Sequence, residues 1–375
     1  MNNVFVRATI VIVITSFIAN MAQAQERKCD LGLNYSTEVH SDFGKKTNWI
    51  NLLSLKGQYK AWQNGELSLN TISIWKTNEE RIIDDMQTFS NIEEGNLAIN
   101  IFLMGYMHRF RNISLFAGIR NVNEDYFIGN YTSLFTNSSC GIYPTLSINY
   151  PIANYPLSAM CIHGEFKLNE TLFLKNSLYN GTARKLFSEE GSLFTINPKK
   201  DGILNVTELD YLSKSSNHGV YTIGSVLYTG NSVCGNNEQE EAKEKTKIDF
   251  ALWGSVERSV YNSKNKSIGV LLQGSFTPDN RNYCKHYYGA GIVLNSIIPT
   301  RNDNTLGVFC NKAFFRENAE IAIEVAWKYS VNDYLTFQPA IHSINSGSAI
   351  KTVGLIRLVY SLGAKCTTSP EVFPK

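Results

Sequence analysis

The sequence predicts an all-β fold: a transmembrane antiparallel β-barrel of about sixteen strands. Three observations predict it. Runs of roughly ten residues alternate between apolar and polar and end in turn residues. The connections between these runs are in turn very short and long, as in outer-membrane barrels. Apolar faces often finish in Trp or Tyr while the opposite faces carry both signs of charge, which suits an interface girdle around a wet lumen better than a soluble sandwich. Composition agrees. The 375 residues are 43% hydrophobic, 12% aromatic and 18% charged. That is enough apolar surface to exclude disorder. The mean hydropathy of −0.17 is too polar for a helical membrane protein. With 35 basic and 33 acidic residues there is no electrostatic footprint for nucleic acid.

Taken in order, residues 1–24 read as a secretory signal. Arg7 precedes an apolar run from Ala8 to Ile18, and Ala22-Gln23-Ala24 offers small residues for cleavage. The run is too short for a membrane anchor. Residues 25–362 form the expected barrel, and 363–375 a tail. Strands are expected to begin near Cys29, Trp49, Glu66, Asn96, Ile113, Leu157, Leu172, Gly202, Gly219, Ile248, Ser267, Tyr287, Thr305, Ala319, Tyr334 and Thr352. In the fourth, Leu97, Ile99, Ile101 and Leu103 share one face and Asn100, Tyr106 and His108 the other. In the fifth, Ile113, Leu115, Ala117 and Ile119 face lipid and Arg120 faces the lumen. Near the end, Ile321, Ile323, Val325, Trp327 and Tyr329 oppose Glu320, Glu324 and Lys328. Ile356, Leu358, Tyr360 and Leu362 oppose Lys351 and Arg357.

Short connections fall at Arg109–Asn112, Asn169–Thr171, Asn262–Asn265 and Ser330–Asp333. Long ones fall at Asn78–Glu94, Val122–Pro156, Thr182–Lys200 and Gly230–Thr246. Ile142 to Tyr150 could be a further strand, but an odd count breaks the short–long alternation, so it belongs to the long third loop. Asn197 to Glu208 has some features of an EF-hand calcium loop. Lys199 at the third ligand position opposes that reading, because a hard cation needs oxygen there.

Several stretches together resemble one family: Gly118 to Phe127, Ser138 to Ile142, Ser177 to Gly181, Asp201 to Leu209, Asp279 to Arg281, Tyr288 to Gly291, and Gln338-Pro339. In order and spacing they are similar to the carbohydrate-selective porins (OprB type) of Gram-negative outer membranes. The resemblance implies a sixteen-stranded barrel through which small neutral sugars diffuse, with a long third external loop folded into the lumen. It implies outer-membrane lipid and the barrel-assembly machinery as surroundings, no cofactor, and no catalysis. Oligomeric state stays open. The chain departs from outer-membrane habit at its end, where a terminal aromatic is usual. The pattern Leu358, Tyr360, Leu362 is expected to serve instead of it.

A sugar offers hydroxyls and apolar C–H faces, so a selective pore needs charged or polar hydrogen-bonding groups and an aromatic surface. Strand parity places Arg120, His163, Glu165, Lys175, Glu208, Asp249, Trp253, Glu257, Gln273, Glu324, Gln338 and Arg357 in the lumen. Arg120 and Glu165 flank the third loop, Glu124 and Asp125 open it, and Trp253 is the expected aromatic platform. Together with Arg357 these form the expected substrate path. The plainer reading of each is that lumen charges pair with one another. Mixed signs favour neutral solutes over anions. Two alternatives are a general diffusion pore and a non-transporting surface barrel. A barrel hydrolase would need a Ser and a His within reach, with His108, His163 and His342 expected in the lumen, but no G-x-S-x-G elbow is present.

Topology also suggests disulfides. Cys29 and Cys366 flank the barrel seam, Cys140–Cys161 would pin the third loop to the wall, and Cys234 and Cys284 lie in two consecutive external loops and could pair. Cys310 is expected on the outward face. No zinc spacing occurs.

Overall fold

A computed structural model describes residues 29–187, 192–214, 218–230, 248–263, 266–279, 282–298, 304–347 and 349–363. The expected signal (1–24), most of the tail, Cys234 and Cys366 lie outside the described residues.

Sixteen antiparallel strands close into one barrel in which every strand pairs with its sequence neighbours. They are β1 (Cys29–Ser41), β2 (Thr47–Trp62), β3 (Gly65–Lys76), β4 (Leu97–Arg109), β5 (Ile113–Arg120), β6 (Ala159–Lys167), β7 (Leu172–Asn180), β8 (Ile203–Ser213), β9 (Gly219–Thr229), β10 (Ile248–Ser263), β11 (Lys266–Phe276), β12 (Cys284–Asn295), β13 (Asn304–Phe315), β14 (Ala319–Ser330), β15 (Leu335–Asn345) and β16 (Ile350–Gly363). Each begins within three residues of the position expected from sequence. The seam closes where β1 pairs with β16, from Gly32↔Gly363 to Ser41↔Gly354. Closure is required because an open edge in hydrocarbon would leave backbone groups unpaired at several kcal/mol each.

Alternation carries through as expected on most strands. On β14, Glu320, Ala322, Glu324 and Ala326 are buried and the residues between them face out. The long connection between β5 and β6 contains short helical turns at Val122–Glu124, Thr132–Leu134, Ser138–Gly141 and Pro144–Ser147, and no strand.

Strand β4 departs from the expectation. Asn70 opposes Leu103 while Thr71 opposes Ile101, so Phe102 is the extra residue of a bulge. The bulge exchanges the two faces, because one extra residue shifts the two-residue alternation by one position. Leu103 therefore turns inward with Asn100. Tyr106 and His108 share the outward side with their exposed partners Leu67 and Leu115. The Tyr106 hydroxyl lies 2.7 Å from His108 Nδ1, and rings of Trp62 and Phe110 pack beside them. His108 is thus part of an aromatic girdle and not of the lumen.

The interior is filled on one side. Two buried apolar clusters form between the wall and the long loops. One gathers Val122, Tyr126, Tyr143 and Leu146 against Val206, Trp253 and Tyr287. The other gathers Phe89, Leu134, Phe135 and Cys140 against Phe309, Ala326 and Leu355.

Candidate functional site: a lumen divided by a clamped loop

The 121–158 loop leaves β5 directly after Arg120. Asn121 caps its first turn by accepting from the Asn123 amide at 2.8 Å. That turn brings Asp125 back onto Arg120, which donates to it through both Nε and a terminal nitrogen. Arg120 also lies 4.5 Å over the Phe116 ring. Lys175 donates to the Asp125 carbonyl at 3.0 Å and pairs with Glu208 at 2.8 Å and Asp210 at 2.9 Å. Next door, Tyr126 donates to the Val206 carbonyl at 3.2 Å. Arg120 and Asp125 therefore satisfy each other, as buried charges must.

His163 stands 3.4 Å from Glu165 and 3.6 Å from Asp125 through Nε2, and 2.7 Å from Ser177 Oγ through Nδ1. A Ser–His–carboxylate set thus exists in this barrel, but Ser177 is fully buried and its hydroxyl also bonds Tyr126. Asp125, His163 and Glu165 also have ligand atoms within 4.8 Å of one another. Asp125 already receives two guanidinium N–H bonds, so the set is a poor cation site.

Farther along the loop, wall carboxylates accept its backbone. Glu257 receives the amides of Tyr131 at 3.0 Å and Thr132 at 2.8 Å. Glu324 receives those of Thr136 at 2.7 Å and Asn137 at 3.0 Å. Gln273 donates to the Cys140 carbonyl and Gln338 to that of Leu134, each at 2.6 Å. Charged acceptors make the stronger hydrogen bonds, so these are the firmest attachments of the loop.

The 77–96 loop is held in the same way. Glu320 accepts from the Met86 and Gln87 amides, both at 3.0 Å. Glu38 takes a hydrogen bond from Arg357, one from Ser90 at 2.6 Å, and lies 2.6 Å from His40 Nε2. The two loops join through Asn91 N to Thr136 O at 2.7 Å and Ser138 N to Thr88 O at 2.8 Å. Burial pushes the Asp85 carboxyl up to about 6. Glu320 and Glu93 add to the rise, while Arg81 and the Phe89 amide oppose it.

Between this assembly and the wall of β16, β1 and β2 lies a cavity of about 720 Å³. Of the expected path residues, Glu124 and Arg357 line it. Arg120 and Asp125 are buried in their own pair, and Glu165 faces His163. Trp253 is covered by Phe127, ring centroids 5.0 Å apart. Residues not singled out from sequence complete the lining: Asn34, Lys56, Gln58, Asn91, Asn123, Asn154 and Tyr155. Part of the signal was present. Asn34, Ser36 and Glu38 alternate along β1, and Ser54, Lys56 and Gln58 along β2. Glu124 is approached by the Asn70 amide at 3.5 Å.

The suggested Cys140–Cys161 bridge is absent. Both are free buried thiols, in different apolar clusters. Cys140 instead sits 3.9 Å from the Thr132 carbonyl. Cys29 and Cys284 are also free, and their suggested partners Cys366 and Cys234 lie outside the described residues. Cys310 is exposed on the outward face, as expected. Asp201, from the calcium-like segment, pairs with Arg184 at 2.7 Å, which holds its carboxyl below the usual range.

Comparison with known proteins places this geometry. OprB from Pseudomonas putida in its high-pH structure matches with a TM-score of 0.76 at 14% identity, covering 91% of this chain and 96% of that one. A loop-deletion mutant of OmpT from Vibrio cholerae matches with a TM-score of 0.58 at 10% identity, covering 89% and 99%. The anion-selective porin of Comamonas acidovorans matches with a TM-score of 0.56 at 10% identity, covering 89% and 99%. At such identities the likeness concerns the fold. No curated protein sequence matches the chain. The model of the carbohydrate-selective porin, OprB family, matches residues 60–351. The closed sixteen-stranded barrel and this match together make the chain an outer-membrane porin of the carbohydrate-selective OprB family.

Proposed function

We propose that small neutral carbohydrates diffuse passively through the cavity between the 121–158 loop and the wall of β16, β1 and β2. The observation that carries this reading is the chemistry of the cavity lining. It joins side-chain amides and hydroxyls (Asn34, Gln58, Asn91, Asn123, Asn154, Ser361) to apolar side chains such as Leu33, Leu52 and Ile92, with the rings of Phe102, Phe127 and Tyr155 among them. Its four charged residues balance, Asp30 and Glu124 against Lys56 and Arg357. A neutral polyol finds donors, acceptors and apolar faces there, whereas neither sign of ion meets a ring of opposite charge. Glu124 and Arg357 are the path residues in this reading. Arg120, Asp125, Glu257 and Glu324 set the width of the path by holding the loop.

The test is swelling of liposomes carrying the purified, refolded protein, with glucose, larger oligosaccharides and charged solutes of equal size. Faster swelling with glucose than with the charged solutes supports the reading. Equal rates for all small solutes point to a general diffusion pore. No swelling with inserted protein sinks both and favours a surface barrel.

A further inference from the structure

The aromatic surface a sugar would meet is not the tryptophan expected from sequence. Trp253 is buried, and Phe127 lies on it. Phe127 also has a backbone φ of +62°. Four described non-glycine residues have positive φ, and of these only Phe127 lines the cavity. A bulky side chain in this region is strained and stays there only if its surroundings leave no alternative.

Those surroundings are on both sides of it. Tyr126 is fully buried and bonded to Ser177 at 2.8 Å and to the Val206 carbonyl. The Phe127 amide faces the Glu208 carboxylate. Two residues on, Gly129 passes so close to Glu257 that an added Cβ would fall 2.0 Å from its carboxylate oxygen. The amides of Tyr131 and Thr132 are then fixed by Glu257. The ring is backed by Trp253 at 5.0 Å and by Tyr143, edge-on at 5.6 Å, and Phe127 is among the residues that line the cavity. Asn123, Glu124, Thr132 and Ser133 line the cavity from the same loop.

We propose that Phe127, held in this strained conformation, is the stacking platform that recognises the ring face of a cyclic sugar. A rigid aromatic face bordered by polar groups matches a pyranose, whose C–H face is apolar and whose rim is hydroxylated. The proposal rests on the cavity being the sugar path, and the test separates the two.

The measurement is sugar block of ion current through single channels in planar bilayers. In the native protein, glucose should block at lower concentration than sorbitol, an open-chain polyol with no ring face. Phe127→Leu and Phe127→Gly should each raise the half-blocking glucose concentration about three- to tenfold, although glycine relieves the positive φ. Phe127→Tyr should stay within about twofold of native. Equal block by glucose and sorbitol, or a Phe127→Leu channel that matches native, overturns the platform and leaves the sugar path standing. A native channel that glucose neither blocks nor crosses overturns the path itself. Should the leucine and glycine variants fail to insert, the glucose–sorbitol comparison in native protein decides alone.

Discussion

The two sides of the lumen use the same residue types for opposite ends. On the side formed by β5 to β15, Lys175, Glu208, Glu257, Gln273, Glu324 and Gln338 point inward and each is spent on a loop or on another charge. On the side formed by β16, β1 and β2, Arg357 and Glu38 are likewise bonded to each other and to the 77–96 loop, while Asn34, Lys56, Gln58 and Ser361 line the cavity. Inward direction by itself therefore does not make a residue part of the path. What divides the two sides is whether the 121–158 loop lies against the wall. A loop buried in a barrel must find partners for its backbone, since unpaired buried amides and carbonyls are costly. Wall carboxylates and amides supply them.

The comparison breaks most sharply at Arg120. Arg120→Ala leaves the buried Asp125 carboxylate without its guanidinium partner and should cost about 3–5 kcal/mol. The midpoint of denaturant unfolding should fall accordingly. If it does not, Arg120 is free to meet substrate and the division of the lumen is wrong.

Glu324→Ala comes next. It removes one charged acceptor from the amides of Thr136 and Asn137 and should loosen the loop by about 2–3 kcal/mol. Hydrogen exchange at residues 131–140 should accelerate and single-channel conductance should rise. Faster exchange without a conductance change would show that the loop does not limit the path.

The smallest effect concerns pH. The Asp85 carboxyl is raised to about 6 in the folded protein, above its ordinary value. Its contribution is fully present at pH values below that ordinary value and is lost as pH rises through 6. Attachment of the 77–96 loop should therefore tighten by up to about 2 kcal/mol between pH 7 and pH 4. Asp85→Asn should flatten that dependence in exchange protection factors. A native loop with equal protection at both pH values would contradict it.

Much of the fold was legible from residue order, because strand alternation and connection length are local properties. Both faces of β14 and β16, Arg120 opposite its apolar neighbours, and Cys310 on the outside follow from period-two patterning alone. The reading failed on β4, where the Phe102 bulge exchanged the faces and sent His108 outward. A bulge leaves no pattern in one strand, because it is defined by the register of its partner. It failed likewise for Cys140 and Cys161, since loop position sets no distance to the wall.

The sequence by itself determined the closed sixteen-stranded barrel, which connections are long, and most inward residues. Those features need only alternation and turn chemistry. Only the tertiary structure decided that Arg120 and Asp125 satisfy each other, that Phe127 covers Trp253, and that the open cavity runs along β16, β1 and β2. These depend on how one loop meets distant strands, and neither periodicity nor composition carries that information.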